Sequence, residues 1–249
     1  MTTPITLPEQ QRLIDHYAGP DGCALRITER GYEKRRVPAG LFAWLREQLE
    51  VTWGGGVASE GQEGRFYREC ATGCRGHFQP EAPSPADSVR MALMDARWDA
   101  ASPPEAGEVV SLINASDPSY VRVLEELQPL HEAWAGIPLR AAQFWGPRVY
   151  RRHAVLARHI DVPTTHVVSG SITLASQLDE PWPLMVERES GEVVEVELEP
   201  GEMLLYEGAR LPHYRSRPLR GAYYVNLYVH YYPRDATFDY GRGTWVLDG

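Results

Sequence analysis

Two short stretches of this sequence carry side chains that could hold a metal ion together. His159 and Asp161 stand two residues apart in RHIDV. On an extended strand, residues i and i+2 share a face, so this imidazole and carboxylate can reach one ion. His213 follows in ARLPHYR, just past a segment ending YEG. Two imidazoles and one carboxylate make a facial triad, which leaves three coordination positions open. An open site of this kind suits a metal that must accept other ligands, in contrast to a closed structural site. His-x-Asp alone is a common tripeptide of ordinary surface and core residues, so its weight depends on the elements around it.

Those elements change character along the chain. Residues 1 to about 140 read as helix and loop. Leu7 to Tyr17 is a short helix candidate, and AGLFAWLREQL (Ala39 to Leu49) puts Leu41, Trp44, Leu45 and Leu49 on one helical stripe. Asp117-Pro118 has the form of an N-cap followed by a proline at the first helical position. The run to Trp134 then carries Val121, Leu124, Leu127 and Leu130 at helical spacing. Pro129 should kink or split that helix, and Gly136 is placed to stop it. From 141 to 235 the period becomes two. HVVSGSITLAS (166–176), a hairpin over 182–198 turning at Ser190-Gly191, a turn at Pro200-Gly201, a strand over 203–207 and AYYVNLYVHY (222–231) all read as strands and turns. Many short strands with regular turns suggest a sandwich or barrel. The expected fold class is α+β: a double-stranded β-helix (jelly roll) core, residues 137–249, with an N-terminal helical support region and possible lid, residues 1–136, the two forming one compact unit.

The stretch RVYRRHAVLARHIDVPTTHVVSGSITL, then WPLMVE, then LEPGEMLLYEGARLPHYRSRPLRGAYYVNLYVHYYP resembles the prolyl 4-hydroxylase-like branch of the iron(II)- and 2-oxoglutarate-dependent oxygenases. The resemblance spans about Gly136 to Pro233 and includes both metal motifs and the P-G-E-M-x-x-Y-E segment between them. It implies a jelly roll, with Fe(II) held by His159, Asp161 and His213. It also implies 2-oxoglutarate and O2 as co-substrates, with ascorbate as a supporting reductant. The implied reaction is oxidative decarboxylation to succinate and CO2, coupled to oxidation of a C–H bond. In such a division of labour the protein supplies ligands and orientation, and the cofactors carry the hard chemistry.

The distal carboxylate of 2-oxoglutarate needs a cation, and the fork of an arginine suits it. Many relatives place an arginine or lysine nine or ten residues after the distal histidine. Here those positions are Ala222 and Tyr223, a departure from the pattern. Arg215, Arg217 and Arg220 are near, and the form H-x-R-x-x-P-L-(K/R)-G recurs in relatives. On that basis Arg220 is preferred narrowly over Arg215. Tyr150, nine residues before His159, matches a tyrosine that hydrogen-bonds the co-substrate. Tyr223 and Asn226 are further lining candidates, although strand alternation forbids Tyr223 and Tyr224 from both facing the site.

Other candidates rank lower. His166 lies seven residues beyond His159, too far along a strand for the same ion, and reads as a supporting or packing residue. Cys70, Cys74 and His77 could be three zinc ligands but lack a fourth. His153 and His230 read as structural, and Ser169-Gly170 lacks the surroundings of a nucleophile elbow. The glycine- and acid-rich segment Trp53 to Ser88 reads as a cover over the pocket or as an ordinary loop.

A chain of 249 residues with 43% hydrophobic and 24% charged residues has ordinary globular composition, which argues against wholesale disorder. A net charge of -9 disfavours nucleic acid as a partner, although Arg148, Arg151, Arg152 and Arg158 cluster locally. No signal peptide or membrane span is expected. Three cysteines suggest no disulfide framework, and a cytoplasmic location. Two substrate classes remain open: a small molecule such as an amino acid or biosynthetic intermediate, favoured slightly, and a peptidyl residue, most naturally proline. A non-catalytic jelly-roll binding protein and a metal-binding cupin are the rival readings. Oligomeric state is not legible.

Overall fold

The computed structural model describes residues 4, 6, 8–53, 109–111 and 121–247. Among the described residues, three helices precede the main run of strands: α1 (Pro8–Tyr17), α2 (Ala39–Trp53) and α3 (Val121–Ala135). The apolar stripe expected on α2 is its buried face, with Leu41, Leu45 and Leu49 inside. α3 runs through Pro129 as a single element rather than splitting. It stops at Gly136, whose φ of +70° lets its N–H turn back to the carbonyl of Glu132 at 2.8 Å. Asp117-Pro118, the Cys70, Cys74 and His77 group, and the candidate cover beyond Trp53 lie outside the described residues.

The strands are β1 (Tyr32–Arg36), β2 (Val109–Ser111), β3 (Leu139–Arg151), β4 (Leu156–His159), β5 (Val168–Leu178), β6 (Leu184–Glu187), β7 (Val193–Val196), β8 (Glu202–Tyr206), β9 (His213–Arg215), β10 (Gly221–Pro233), β11 (Ala236–Asp239) and β12 (Thr244–Leu247). They form a six-stranded sheet in the order β1-β8-β5-β10-β3-β2, a four-stranded sheet β4-β9-β6-β7 and a hairpin β11-β12, all paired antiparallel. The N-terminal region is therefore more than helix and loop: β1 and β2 form the two edges of the larger sheet. Their sequences hid this. β1 reads YEKRR, with three of its five residues exposed, and charged residues are what an edge strand carries to avoid pairing with another chain.

Alternation along the central strands separates two environments. Val168, Ile172 and Leu174 of β5 and Val225, Leu227, Val229 and Tyr231 of β10 face the helices, packing with Leu41 and Leu45 of α2 and Leu124 and Leu127 of α3. Fully burying one such side chain contributes about 1.5–3 kcal/mol, so this face fastens helices to sheet. The opposite face of the sheet meets the smaller sheet. At one end Leu204 and Tyr206 pack on Leu156, Leu184, Val186 and Val196. Elsewhere this inner face is polar: Ser169, Ser171 and Thr173 on β5 stand beside Tyr224, Asn226, Tyr228 and His230 on β10. A polar wall inside a sandwich is costly unless each group finds a partner, and that wall is where the candidate ligands meet.

Candidate metal centre

His159 ends β4 and His213 begins β9, and the two are direct cross-strand partners. Their rings lie 4.2 Å apart between centroids. Asp161 sits two residues beyond His159, its backbone N–H donating to the carbonyl of Gly208 at 2.8 Å. The intervening Ile160 is fully buried and points the other way, against Ile14 and Tyr17 of α1. The apolar residue of the tripeptide thus clamps α1 while its neighbours turn to the ion site. Nε2 of His159 is 3.9 Å and Nε2 of His213 is 3.5 Å from Oδ1 of Asp161. All three donor atoms lie within 4.8 Å of one another, in residues that are 2–3% exposed.

The hydrogen bonds around these groups prepare them to coordinate. Nδ1 of His159 meets the carbonyl of Ala157 at 2.7 Å, and Nδ1 of His213 meets that of Leu211 at 2.9 Å. A carbonyl only accepts, so each Nδ1 carries the proton and each Nε2 presents a lone pair. Burial pushes the His159 imidazole down to about 3, helped by His213, so it stays neutral at any ordinary pH. Burial alone would raise the Asp161 carboxyl, but His213, His230 and His159 around it hold it below the usual carboxylate range. Two imidazoles presenting Nε2 beside an ionised carboxylate are the kind of donor set a divalent cation requires. The residues therefore fit a single Fe(II)-type ion.

Support continues outward. The Ser169 hydroxyl donates to Oδ2 of Asp161 at 2.7 Å and lies 3.0 Å from Nδ1 of His230. His230 in turn lies against His166, with ring centroids 3.8 Å apart and the planes tilted by 36°. Gly208 must be glycine. A Cβ there would lie 2.0 Å from Oδ2 of Asp161 and 2.5 Å from the Ser169 hydroxyl. The hairpin β11-β12 braces the same region, since the Trp245 indole N–H donates to the carbonyl of Pro163 at 2.9 Å.

The arginines separate cleanly. Arg215 shares the inner face of β9 with His213 and is almost wholly buried. Its guanidinium carbon lies 4.5 Å from the Trp182 ring centroid and 4.6 Å from that of Tyr224. Its N–H groups donate to the Trp182 carbonyl and, at 3.2 Å, to the Tyr224 hydroxyl. Among the described residues no carboxylate pairs with it. Arg220, by contrast, is 64% exposed in its side chain and lies 3.7 Å from a similarly exposed Glu180. Arg220 follows β9 in a surface connection, whereas Arg215 inherits the inward direction of His213 from the strand.

Tyr150 faces the interior, its hydroxyl 2.8 Å from that of Tyr228. Burial pushes the Tyr228 phenol well above its ordinary range, with Tyr150 adding to this and Arg215 and Arg148 opposing it. Arg148 shares the inner face of β3 with Tyr150. Tyr223 does not join the site. It packs on the helix-side cluster, because alternation along β10 gives the inner face to Tyr224, Asn226 and Tyr228. Arg152 and Arg158 pair with Asp179 and Glu187, and His153 is exposed at a turn with φ of 72°. Ser169, Gly208, Trp182, Tyr224 and Tyr228 are contributors that motif reading overlooked. Period-two spacing of polar residues on β5 and β10 was the signal that could have found three of them.

The sequence matches no family model and no curated protein. Among solved structures the chain is similar to a Pseudomonas putida prolyl-4-hydroxylase, at 14% identity over 83% of this chain and 94% of that one, with a TM-score of 0.42. It is also similar to HygX from Streptomyces hygroscopicus with nickel, 2-oxoglutarate and hygromycin B bound, at 14% identity over 92% and 88%, with a TM-score of 0.48. A third is EctD from S. alaskensis with bound Fe, at 14% identity over 94% and 84%, again with a TM-score of 0.48. No helix among the described residues is long and apolar enough to cross a membrane.

Proposed function

We propose that this protein is an Fe(II)- and 2-oxoglutarate-dependent oxygenase built on a jelly roll. The observation that carries the reading is the convergence of Nε2 of His159, Oδ1 of Asp161 and Nε2 of His213 in one buried site. It is backed by the buried guanidinium of Arg215 on the same strand face as His213. An isolated buried cation is expensive, and a dicarboxylate reaching from the ion to Arg215 would supply the missing charge. Two residues along a strand span roughly 7 Å, a distance that a five-carbon dicarboxylate can bridge.

His159, Asp161 and His213 would hold the iron on one side and leave adjacent positions for exogenous ligands. Arg215 would pair with the distal carboxylate of 2-oxoglutarate. Trp182 and Tyr224 would keep the guanidinium flat and shielded from water, which strengthens the ion pair. The Tyr228 hydroxyl, whose pKa burial raises well above its ordinary range, stays protonated, and with the Tyr150 hydroxyl 2.8 Å away it would offer a hydrogen-bond donor to the co-substrate. When bound, iron and 2-oxoglutarate would let O2 oxidise a C–H bond, with two of its four oxidising equivalents spent on converting 2-oxoglutarate to succinate and CO2. The finer reading of the substrate is a small molecule such as an amino acid or biosynthetic intermediate. Its support is the depth of the ligands between the two sheets, which favours a compact substrate over a folded partner. A peptidyl prolyl side chain is the second reading, favoured by the resemblance over residues 136–233.

The test is succinate release by anaerobically purified protein supplied with Fe(II), 2-oxoglutarate and then O2, against a panel of free amino acids and prolyl peptides. Stimulation by a free amino acid supports the first reading, stimulation by peptides alone the second. No 2-oxoglutarate consumption with or without either would overturn the assignment.

A further inference from the structure

The inner face of β5 carries three hydroxyls at alternate positions, and each meets one side chain of β10. The Ser169 hydroxyl lies 3.0 Å from Nδ1 of His230. The Ser171 hydroxyl accepts from Nδ2 of Asn226 at 2.7 Å. The Thr173 hydroxyl lies 2.6 Å from that of Tyr224. All six residues are 4% exposed or less. The two outer rungs continue into the site. Ser169 reaches Oδ2 of Asp161 at 2.7 Å, and Tyr224 accepts from Arg215 at 3.2 Å. The ladder therefore touches the metal ligand set at one end and the buried cation at the other.

Proton inventory fixes the direction of the Ser169 rung and of the Arg215 contact to the other. Ionised Asp161 only accepts, so the single Ser169 proton goes to Oδ2, and His230 must donate its Nδ1–H to the serine. Arginine only donates, so the Tyr224 oxygen accepts from Arg215, and the Tyr224 and Thr173 hydroxyls share a hydrogen bond in which either can donate. Each outer rung thus holds in place one side chain that faces the site. With Oδ2 occupied by Ser169, Oδ1 is the oxygen left facing both imidazole Nε2 atoms.

From this geometry we infer that Ser169 and Thr173 are separate positioning residues. Ser169 fixes Asp161 as a one-oxygen metal ligand, and Thr173, through Tyr224, fixes Arg215 for the distal carboxylate. Neither touches the ion or the co-substrate. The inference rests on the reading of the site as an Fe(II) and 2-oxoglutarate centre. Its signature is a double dissociation, which a general loosening of the core would not produce.

The experiment uses the full chain with Co(II) as an oxygen-stable probe. Co(II) affinity is measured by visible absorption titration, and 2-oxoglutarate affinity is then measured on the Co(II)-loaded protein. Ser169→Ala is expected to weaken Co(II) binding about 10- to 100-fold, the usual cost of removing a partner that orients a ligand. It should leave the 2-oxoglutarate affinity of the loaded protein within about twofold, a change too small for a lost hydrogen bond. Thr173→Val, which keeps the shape and removes the hydroxyl, should leave Co(II) affinity unchanged. It should raise the 2-oxoglutarate Kd about two- to tenfold, the value of one neutral hydrogen bond. Melting curves of the metal-free variants identify any that fail to fold, and Ser169→Thr, which restores a hydroxyl, should recover Co(II) binding. Equal losses of both affinities in either variant, or no loss in both, overturn the inference. Absence of Co(II) binding by the wild-type protein would instead overturn the reading of the site itself.

Discussion

His159 and His213 are cross-strand partners between β4 and β9, so a single strand register delivers both imidazoles to one point. Each ring is oriented by a carbonyl two residues earlier on its own segment, Ala157 for one and Leu211 for the other. Asp161 is brought in by the backbone contact to Gly208. The centre is therefore held by strand pairing and main-chain hydrogen bonds, with little reliance on long flexible side chains. That arrangement keeps the donor atoms converged before any ion arrives, and it makes Gly208 a sensitive position.

Gly208→Ala is expected to abolish metal binding. The new methyl would fall 2.0 Å from Oδ2 of Asp161, and the main chain that carries Gly208 also holds Asp161 through its carbonyl. Asp161 must swing out, removing one ligand. The check is metal content after dialysis against Fe(II) or Co(II). An alanine variant that binds metal with wild-type affinity would show that Asp161 is not held against Gly208 as described.

Arg215→Gln should raise the apparent 2-oxoglutarate KM by about ten- to a hundredfold, corresponding to loss of a charge-assisted hydrogen bond of about 1.5–3 kcal/mol. Arg220→Gln should leave it unchanged, since that side chain is 64% exposed beside Glu180. Initial rates of 2-oxoglutarate turnover as a function of its concentration separate the two. An Arg220 effect with no Arg215 effect would return the anchor to the position favoured on motif grounds.

Much of this was legible in the sequence, and the limits have physical reasons. The grouping of His159, Asp161 and His213 was readable because two sit at strand spacing and the third follows a turn in a distinctive segment. The α2 stripe was readable because Leu41, Leu45 and Leu49 repeat at the helical period. The choice between Arg215 and Arg220 was not, because it depends on where β9 ends. Arg215 is on the strand and inherits its inward face; Arg220 is past it. The placement of Tyr223 on the helix side was hidden for a related reason. Its face depends on the register of β10, which shifts against β5 between Gly221 and Tyr223. β1 was hidden by its charged composition, and Ser169 by being an unremarkable serine whose importance comes from a partner eight residues earlier.

Glu207 is fully buried behind the site and is shared by several donors. It accepts from the N–H groups of Ile27 and Thr28, from the Thr28 hydroxyl at 2.7 Å and from Nε of Arg210 at 2.7 Å. It ties residues 27–28 to the turn that carries Gly208. Glu207→Ala should cost about 3–5 kcal/mol, the usual penalty for leaving a buried partner charge uncompensated. Urea unfolding of the metal-free protein measures this. A loss below about 1 kcal/mol, the range of exposed pairs, would mean that Arg210 is adequately satisfied by Glu189 alone.

His131 should make stability fall with acid. Its Nδ1–H donates to the Leu127 carbonyl at 2.8 Å, and its buried Nε2 has no partner. Burial lowers this imidazole from 6.5 to about 4, the Leu127 hydrogen bond partly opposing it. The folded state therefore binds the proton less readily than the unfolded chain. The stability contribution is complete above pH 6.5 and is lost as pH falls through about 4. His131→Leu should show a shallower loss of urea midpoint between pH 7.5 and pH 4.5 than the wild type. Parallel curves for the two proteins would contradict this.

The most direct measurement is anaerobic equilibrium binding of Fe(II) to the wild-type chain and to His159→Ala, Asp161→Ala and His213→Ala. It is followed by addition of 2-oxoglutarate and O2 with succinate as the readout. The account predicts one Fe(II) per wild-type chain and iron-dependent succinate release. Each variant should lose both while keeping the wild-type circular dichroism spectrum. Tight Fe(II) binding with undiminished succinate release by any one of the three variants would contradict it.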